Sequence, residues 1–183
     1  MFQDLDDSLQ ALLTTNLPTS LAGQVEISFA APDDQFQPSS TVSLTINLFL
    51  YDIRENLDLR SQEWIYQRQT SSEANEAERP QATKIAPPVR VDCSYLITTW
   101  SSQANAKSRD EHYLLGTVMQ TLLKYSTLPD SVLVGTMAAQ DLPLPTATLQ
   151  ASQVQSFSEF WQALGGKPKA ALNYTVTISV PVN

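Results

Sequence analysis

A single α+β domain with a mixed, mostly antiparallel sheet packed by two main helices follows from three observations. Three long runs, 42–53, 89–100 and 172–182, alternate apolar with polar residues at the two-residue period of a strand. Two other segments repeat leucine and its relatives every three or four residues, as a helix with one buried face does. The chain has 183 residues, the length of one domain, and a chain of this size buries about 70% of its unfolded surface without needing a staple.

The first helix is expected where Leu5, Leu9, Leu12 and Leu13 stand behind Asp4, Asp6 and Asp7, whose charges suit a helix N-terminus, and Leu17-Pro18 ends it. Val25, Ile27 and Phe29 mark a short strand, followed by a loop through Pro32 and Pro38. In the strand over 42–53 the even positions Val42, Leu44, Ile46, Leu48 and Leu50 are apolar. Its odd positions change from Ser43, Thr45 and Asn47 to Phe49, Tyr51 and Ile53, so the first half is expected to keep one wet face and the second to be covered on both. Residues 55–84 are the most polar stretch; a strand is expected near 63–69, around Trp64-Ile65-Tyr66, then a mobile loop over about 71–84.

Pro87-Pro88 precedes the second long strand, whose odd face holds Val89, Val91, Cys93, Tyr95 and Ile97, making Cys93 a core thiol. Ser108-Arg109-Asp110-Glu111 has the capping-box pattern, and Leu115, Val118, Met119, Leu122 and Leu123 continue as the buried stripe of the second main helix. Beyond the Pro143 and Pro145 loop, a strand is expected around 149–155 and a short helix over 158–164, closed by Gly165-Gly166. The last strand alternates Leu172, Tyr174, Val176, Ile178 and Val180 with Asn173, Thr175, Thr177 and Ser179, the pattern of a half-buried antiparallel strand.

Composition removes several function classes. Eleven Lys and Arg against nineteen Asp and Glu give a net charge of −8, and the basic residues are scattered, so no nucleic-acid partner is expected. The N-terminal residues are acidic where a signal peptide is basic, and no apolar run approaches the ~18 residues of a membrane span. Direct membrane insertion is not expected, and a cytoplasmically made protein is. One cysteine and one histidine exclude an intramolecular disulfide and the usual zinc frameworks. Only 16% of residues are charged, against roughly 25% in an average domain, while Gln, Ser and Thr are plentiful, a surface suited to protein contacts.

No catalytic constellation stands out. The five glycines form no phosphate-binding loop, and no G-x-S-x-G elbow is present. His112 falls in the first turn of a helix, where the dipole disfavours its charged form, and Cys93 lies mid-strand without a partner histidine. The neighbours Asp33-Asp34 and Asp110-Glu111 point to different sides of their elements, so loop solvation and capping explain them better than a paired-carboxylate site. Trp64, Trp100 and Trp161 are expected as anchors in a core or a subunit contact rather than as a ligand-stacking set. Neither an enzyme nor a cofactor site is expected.

Three segments together resemble one family. Leu50-Tyr51-Asp52-Ile53-Arg54-Glu55-Asn56-Leu57-Asp58-Leu59-Arg60 is similar to its "LY-x-V-x-x-N-x-x-x-R" strand end. The segment from Pro87-Pro88 to Tyr95-Leu96-Ile97-Thr98-Thr99-Trp100 is similar to its proline-led "YLlT-x-W/Y" strand, and His112-Tyr113-Leu114-Leu115-Gly116 with Met119 and Leu122 is similar to its "LLG-x-x-M-x-x-L" helix. The order matches, and 158–164 followed by 172–180 resembles its final turn and strand. The family is the tail-terminator or cap protein of extracellular contractile injection systems, relatives of contractile phage tails.

The resemblance implies a tail-terminator-like domain over 1–183, assembled in the cytoplasm into a ring of copies of itself, expected to be a homohexamer. That ring would sit on the baseplate-distal end of the inner tube, contact the tube protein and the last layer of sheath protein, and stop polymerisation. Some members are longer, with a further C-terminal domain, whereas this sequence stops at Asn183 after its last strand. Phe49, Tyr51, Trp64, Ile65 and Tyr66 are the interface candidates, against a reading in which they pack within the domain. The competing functions are a particle-associated adaptor linking tube or sheath to another component, and a hydrolase with an unrecognised carboxylate site.

Overall fold

The computed structural model describes residues 1–33, 36–37, 42–61, 65–68, 82–102, 107–149, 157–165 and 167–182. Its main sheet holds β1 (Val25–Ser28), β2 (Leu44–Glu55), β5 (Val89–Ser101), β6 (Thr146–Thr148) and β7 (Leu172–Val180) in the order β1-β2-β5-β7-β6. β1 runs parallel to β2 and all other pairs are antiparallel, so the sheet is mixed and mostly antiparallel as expected. A separate two-stranded sheet pairs β3 (Ile65–Arg68) with β4 (Ala82–Ile85). Helices α1 (Phe2–Asn16), α2 (Lys107–Leu122), α3 (Gly135–Ala138) and α4 (Phe157–Ala163) complete the fold.

Alternation puts Leu44, Ile46 and Leu48 of β2, Cys93, Tyr95 and Ile97 of β5, and Tyr174, Val176 and Ile178 of β7 on one face. α1 closes that face with Leu5, Leu9, Leu12 and Leu13, and α2 with Leu114, Val118 and Leu122. Cys93 is indeed a core thiol, its pKa pushed up to about 12 chiefly by burial. Tyr95 donates a 2.7 Å hydrogen bond to Asp6 of α1, whose carboxyl burial holds above its ordinary value.

The opposite face is polar, yet much of it is buried. Thr45, Asn47, Arg90, Ser94, Thr98, Thr177 and Ser179 are all nearly inaccessible. Several find partners close at hand: Ser94 and Thr175 meet at 3.2 Å, Arg90 donates to Ser179 Oγ at 2.7 Å and to the Pro143 carbonyl at 3.0 Å, and Asn47 donates to the Ala30 carbonyl at 3.0 Å. Two expectations are therefore corrected. β7 is not half-buried, because Thr177 and Ser179 are enclosed by cross-strand hydrogen bonding. β2 is buried on both faces in its first half and more open in its second, the reverse of the pattern read from its side chains, because cover runs out beyond Leu48.

Further boundaries differ. A strand not expected, β6, lies at Thr146–Thr148; of the strand expected at 149–155 only Leu149, at φ 63°, is among the described residues. The loop expected at 71–84 ends in β4, which begins at Ala82, and 69–81 lie outside the described residues. α4 spans Phe157–Ala163 against the 158–164 expected, and Gly165 follows at φ 70° with its N–H on the Gln162 carbonyl at 3.0 Å. No capping box forms at Ser108, which lies inside α2; Glu111 turns inward instead.

A short α3 that periodicity alone does not reveal is tied to the start of α1. Asp4 accepts hydrogen bonds from the Thr136 N–H at 3.0 Å and the Thr136 hydroxyl, and these hold its carboxyl below the ordinary value. Gly135 has φ 53°, and a Cβ there would meet the Asp4 carboxylate at 2.6 Å. Gly135→Ala is expected to lose about 1–2 kcal/mol in urea unfolding, through backbone strain and displacement of Asp4. Because the folded pKa of Asp4 is depressed, its contribution is present above 3.8 and lost as pH falls through the lower folded value. An acid titration followed on the Thr136 amide should show that loss in the native protein and not in Gly135→Ala.

Candidate assembly interface

The ladder between β2 and β5 slips once. Leu50 pairs with Tyr95 and Asp52 with Ser94, which leaves Tyr51 bulged out of register. The bulge re-aims Tyr51: its hydroxyl donates to Asn173 Oδ1 at 2.8 Å, and its ring meets Phe160 of α4 edge-on at 5.9 Å. Phe160 in turn stands edge-on to the buried Trp161, 6.2 Å away. Phe49 pairs with Leu96 and is half-buried. Of the other interface candidates, Ile65 and Tyr66 lie in β3 opposite Ile85 and Lys84, and Trp64 is outside the described residues. Tyr51 thus joins the packing of α4, and the structure does not gather the five candidates at one place among the described residues.

Three exposed apolar residues that the sequence reading passed over follow the bulge. Beyond the bulge, Ile53 pairs with Cys93 but is 48% exposed, and the following turn exposes Leu57 by 67% and Leu59 by 46%. Asn56 holds this turn. Its N–H donates to the Arg90 carbonyl at 2.8 Å, its Nδ2 donates to both Asp92 oxygens at 3.0 and 3.1 Å, and its Oδ1 accepts the Leu59 N–H at 3.0 Å. Asp92 is anchored to β7 by the Thr177 hydroxyl at 2.6 Å. Arg60 closes the turn with two hydrogen bonds to Glu55, at 2.6 and 2.8 Å. The exposed leucines are displayed on a rigid tip. The signal was present in the sequence: leucines at 57 and 59 alternate with charged residues and fit no helical stripe.

At the other end of β5, a cleft of about 580 Å³ runs between Phe36, Trp100, the first turns of α2 and the segment leading into β7. Both Glu111 oxygens are engaged there, Oε1 by the Ser101 N–H at 3.1 Å and Oε2 by Lys169 at 2.7 Å. Lys169 lies 3.9 Å over the Trp100 ring, and burial lowers its pKa despite the ion pair. This joins helix, strand and segment where β7 no longer pairs with β5, a clasp rather than a reactive carboxylate. His112 is exposed, and Cys93 is buried too deeply to supply a thiolate. No group of three or more His, Cys, Asp or Glu among the described residues could hold a metal, and no helix among them is long and apolar enough to cross a membrane.

The family model of the Pvc16 N-terminal domain matches residues 4–182, nearly the whole chain. The chain belongs to this family. Among solved structures, this Pvc16 N-terminal domain is similar over 100% of its length to the PVC sheath/tube terminator of an extracellular contractile injection system in the extended state, at 27% identity and TM-score 0.66. It is likewise similar over 100% of its length to the anti-feeding prophage cap, the AFP tube-terminating cap, at 25% identity and TM-score 0.61. It spans 57% and 56% of those two chains. No curated protein matches it. The resemblance to the terminator and cap family, carried by Asn56, Arg60 and the other motif residues, is borne out, as is the α+β fold.

If Asn56 holds the tip, Asn56→Ala should lose about 1–3 kcal/mol in urea unfolding, since it strips partners from Asp92 and from the Leu59 N–H. Leu57→Ser, at an exposed position, should stay within about 0.5 kcal/mol of the native protein.

Proposed function

We propose that this Pvc16 N-terminal domain is a structural, non-catalytic cap that ends the inner tube of a contractile injection particle. The observation that carries this reading is the likeness, over the full chain, to one sheath/tube terminator and one tube-terminating cap. A helical tube presents an open end to which the next ring of subunits adds, and a closed cyclic ring that binds that end without offering the same surface onward stops growth. Copies of this chain, six in the expected ring, contact the tube protein on one face and the last sheath layer, at the baseplate-distal end of a particle assembled in the cytoplasm. Residues 1–183 act in this role as one unit. Phe49, Tyr51, Trp64, Ile65 and Tyr66 remain the proposed aromatic and apolar contributors to these contacts.

Deleting the gene should give particles with over-long or irregular tubes and bare ends in negative-stain micrographs. Unchanged lengths and finished ends would contradict the cap and favour an adaptor that links tube or sheath to another component. Trp64→Asp should abolish ring formation while leaving the melting temperature of the chain within a few degrees of native, the range of a surface substitution. Joint loss of ring and fold would assign Trp64 to the core.

A further inference from the structure

We propose that the cleft between Phe36, Trp100 and the first turns of α2 is a receptor for an acidic peptide segment of a protein partner, one that sets an apolar side chain beside a carboxylate. Binding of this kind does not require the ring, so it stands apart from capping. The cleft measures about 580 Å³. That lies within the roughly 300–1,000 Å³ of clefts that hold a compact ligand.

Its charge is opposite to that of the chain. Lys107, Lys167 and Lys169 line it against two carboxylates, Asp33 and Glu111, which leaves an excess of positive charge in a chain of net charge −8. Glu111 already has both oxygens engaged, by Lys169 and the Ser101 N–H. Lys107 and Lys167 are exposed, and neither is paired with a carboxylate among the described residues. The cations also crowd one another: burial lowers the Lys169 pKa, Glu111 opposes the shift, and the charge of Lys107 adds to it. A carboxylate entering the cleft relieves that repulsion.

Beside the lysines the cleft offers an aromatic shelf. Phe36 and Trp100 both line it, half-buried, with ring centroids 4.9 Å apart at 46°. Trp100 is fixed in place, because its indole N–H donates to Thr98 Oγ1 at 3.0 Å and Lys169 sits over its ring. A shelf held this way loses little freedom when a ligand docks. Rings and ammonium groups side by side match an apolar residue next to Asp or Glu. A polynucleotide fits less well, since it brings a line of phosphates that the rest of an acidic chain repels.

The test is an NMR titration of the chain with the peptide acetyl-Gly-Glu-Leu-Glu-Gly-amide, followed on the Trp100 indole N–H and the Lys107 and Lys167 amides. Saturable shifts confined to the cleft are expected. Binding should weaken about fivefold to tenfold when the peptide carries glutamine in place of both glutamates, and equally in a chain with Lys107→Gln and Lys167→Gln. Both lysines are exposed and outside the clasp, so that chain should melt within a few degrees of native. Should it unfold, raising sodium chloride from about 0.05 M to about 0.5 M on the native chain removes the same attraction without a substitution. Absence of saturable shifts, or binding indifferent to the glutamines and to salt, overturns the proposal. Sodium acetate or inorganic phosphate shifting the same resonances as strongly at equal charge also overturns it, because the rings then add nothing.

Discussion

The slip of one residue in the β2–β5 ladder, at Tyr51, organises this molecule. Ahead of it, Leu44, Ile46 and Leu48 lie in register with Thr99, Ile97 and their neighbours and are sealed beneath the helices. Behind it, the register places Ile53 across from Cys93, on the helical face but beyond most of its cover. The bulged Tyr51 is freed to brace α4 through Phe160 and to reach Asn173 on β7. One local irregularity therefore links the core, the packing of the last helix and the display of the apolar tip. Bulges bend and twist their strand, which is how a chain can re-aim side chains without changing its topology.

The strong periodicities of the sequence mapped directly onto structure. The leucine stripe of α1, the odd face of β5 with Cys93 at its centre, and the alternation of β7 are each dictated by which residues can be buried together. What escaped depended on partners distant in sequence. Thr45 and Asn47 read as a wet face but are enclosed, with Asn47 reaching a carbonyl at Ala30. Ser108 and Glu111 match a capping box letter for letter. Yet Lys169, 58 positions further on, offers Glu111 a buried ion pair, and Ser101 offers it a backbone N–H. Phe49, Leu50 and Tyr51 follow one another without a polar break, so no alternation marks the bulge at Tyr51.

The candidate interface was legible only in part. Asn56 and Arg60 were recognisable as motif residues, but their physical work became visible with the fold: one pins the turn to β5, and the other closes it onto Glu55. Motif residues of this kind need not touch a partner. They set the posture of Leu57 and Leu59, which carry the exposed apolar surface. Of the groups singled out in the sequence, Glu111 is clasped by Lys169 and the Ser101 N–H, Cys93 is buried and His112 is exposed. A fold alone does not assign a function. The case proposed for a cap lies in similarity, over this chain's full length and 57% and 56% of theirs, to a sheath/tube terminator and a tube-terminating cap.

Capping is a statement about position and closure, so the decisive measurement is a cryo-electron microscopy reconstruction of the baseplate-distal end of a particle that contains this chain. A closed ring of copies with this fold, seated on the last layer of tube subunits with no tube beyond it, is the predicted result. The chain found along the side of the sheath, at the baseplate, or as an open spiral with tube continuing past it would contradict the account.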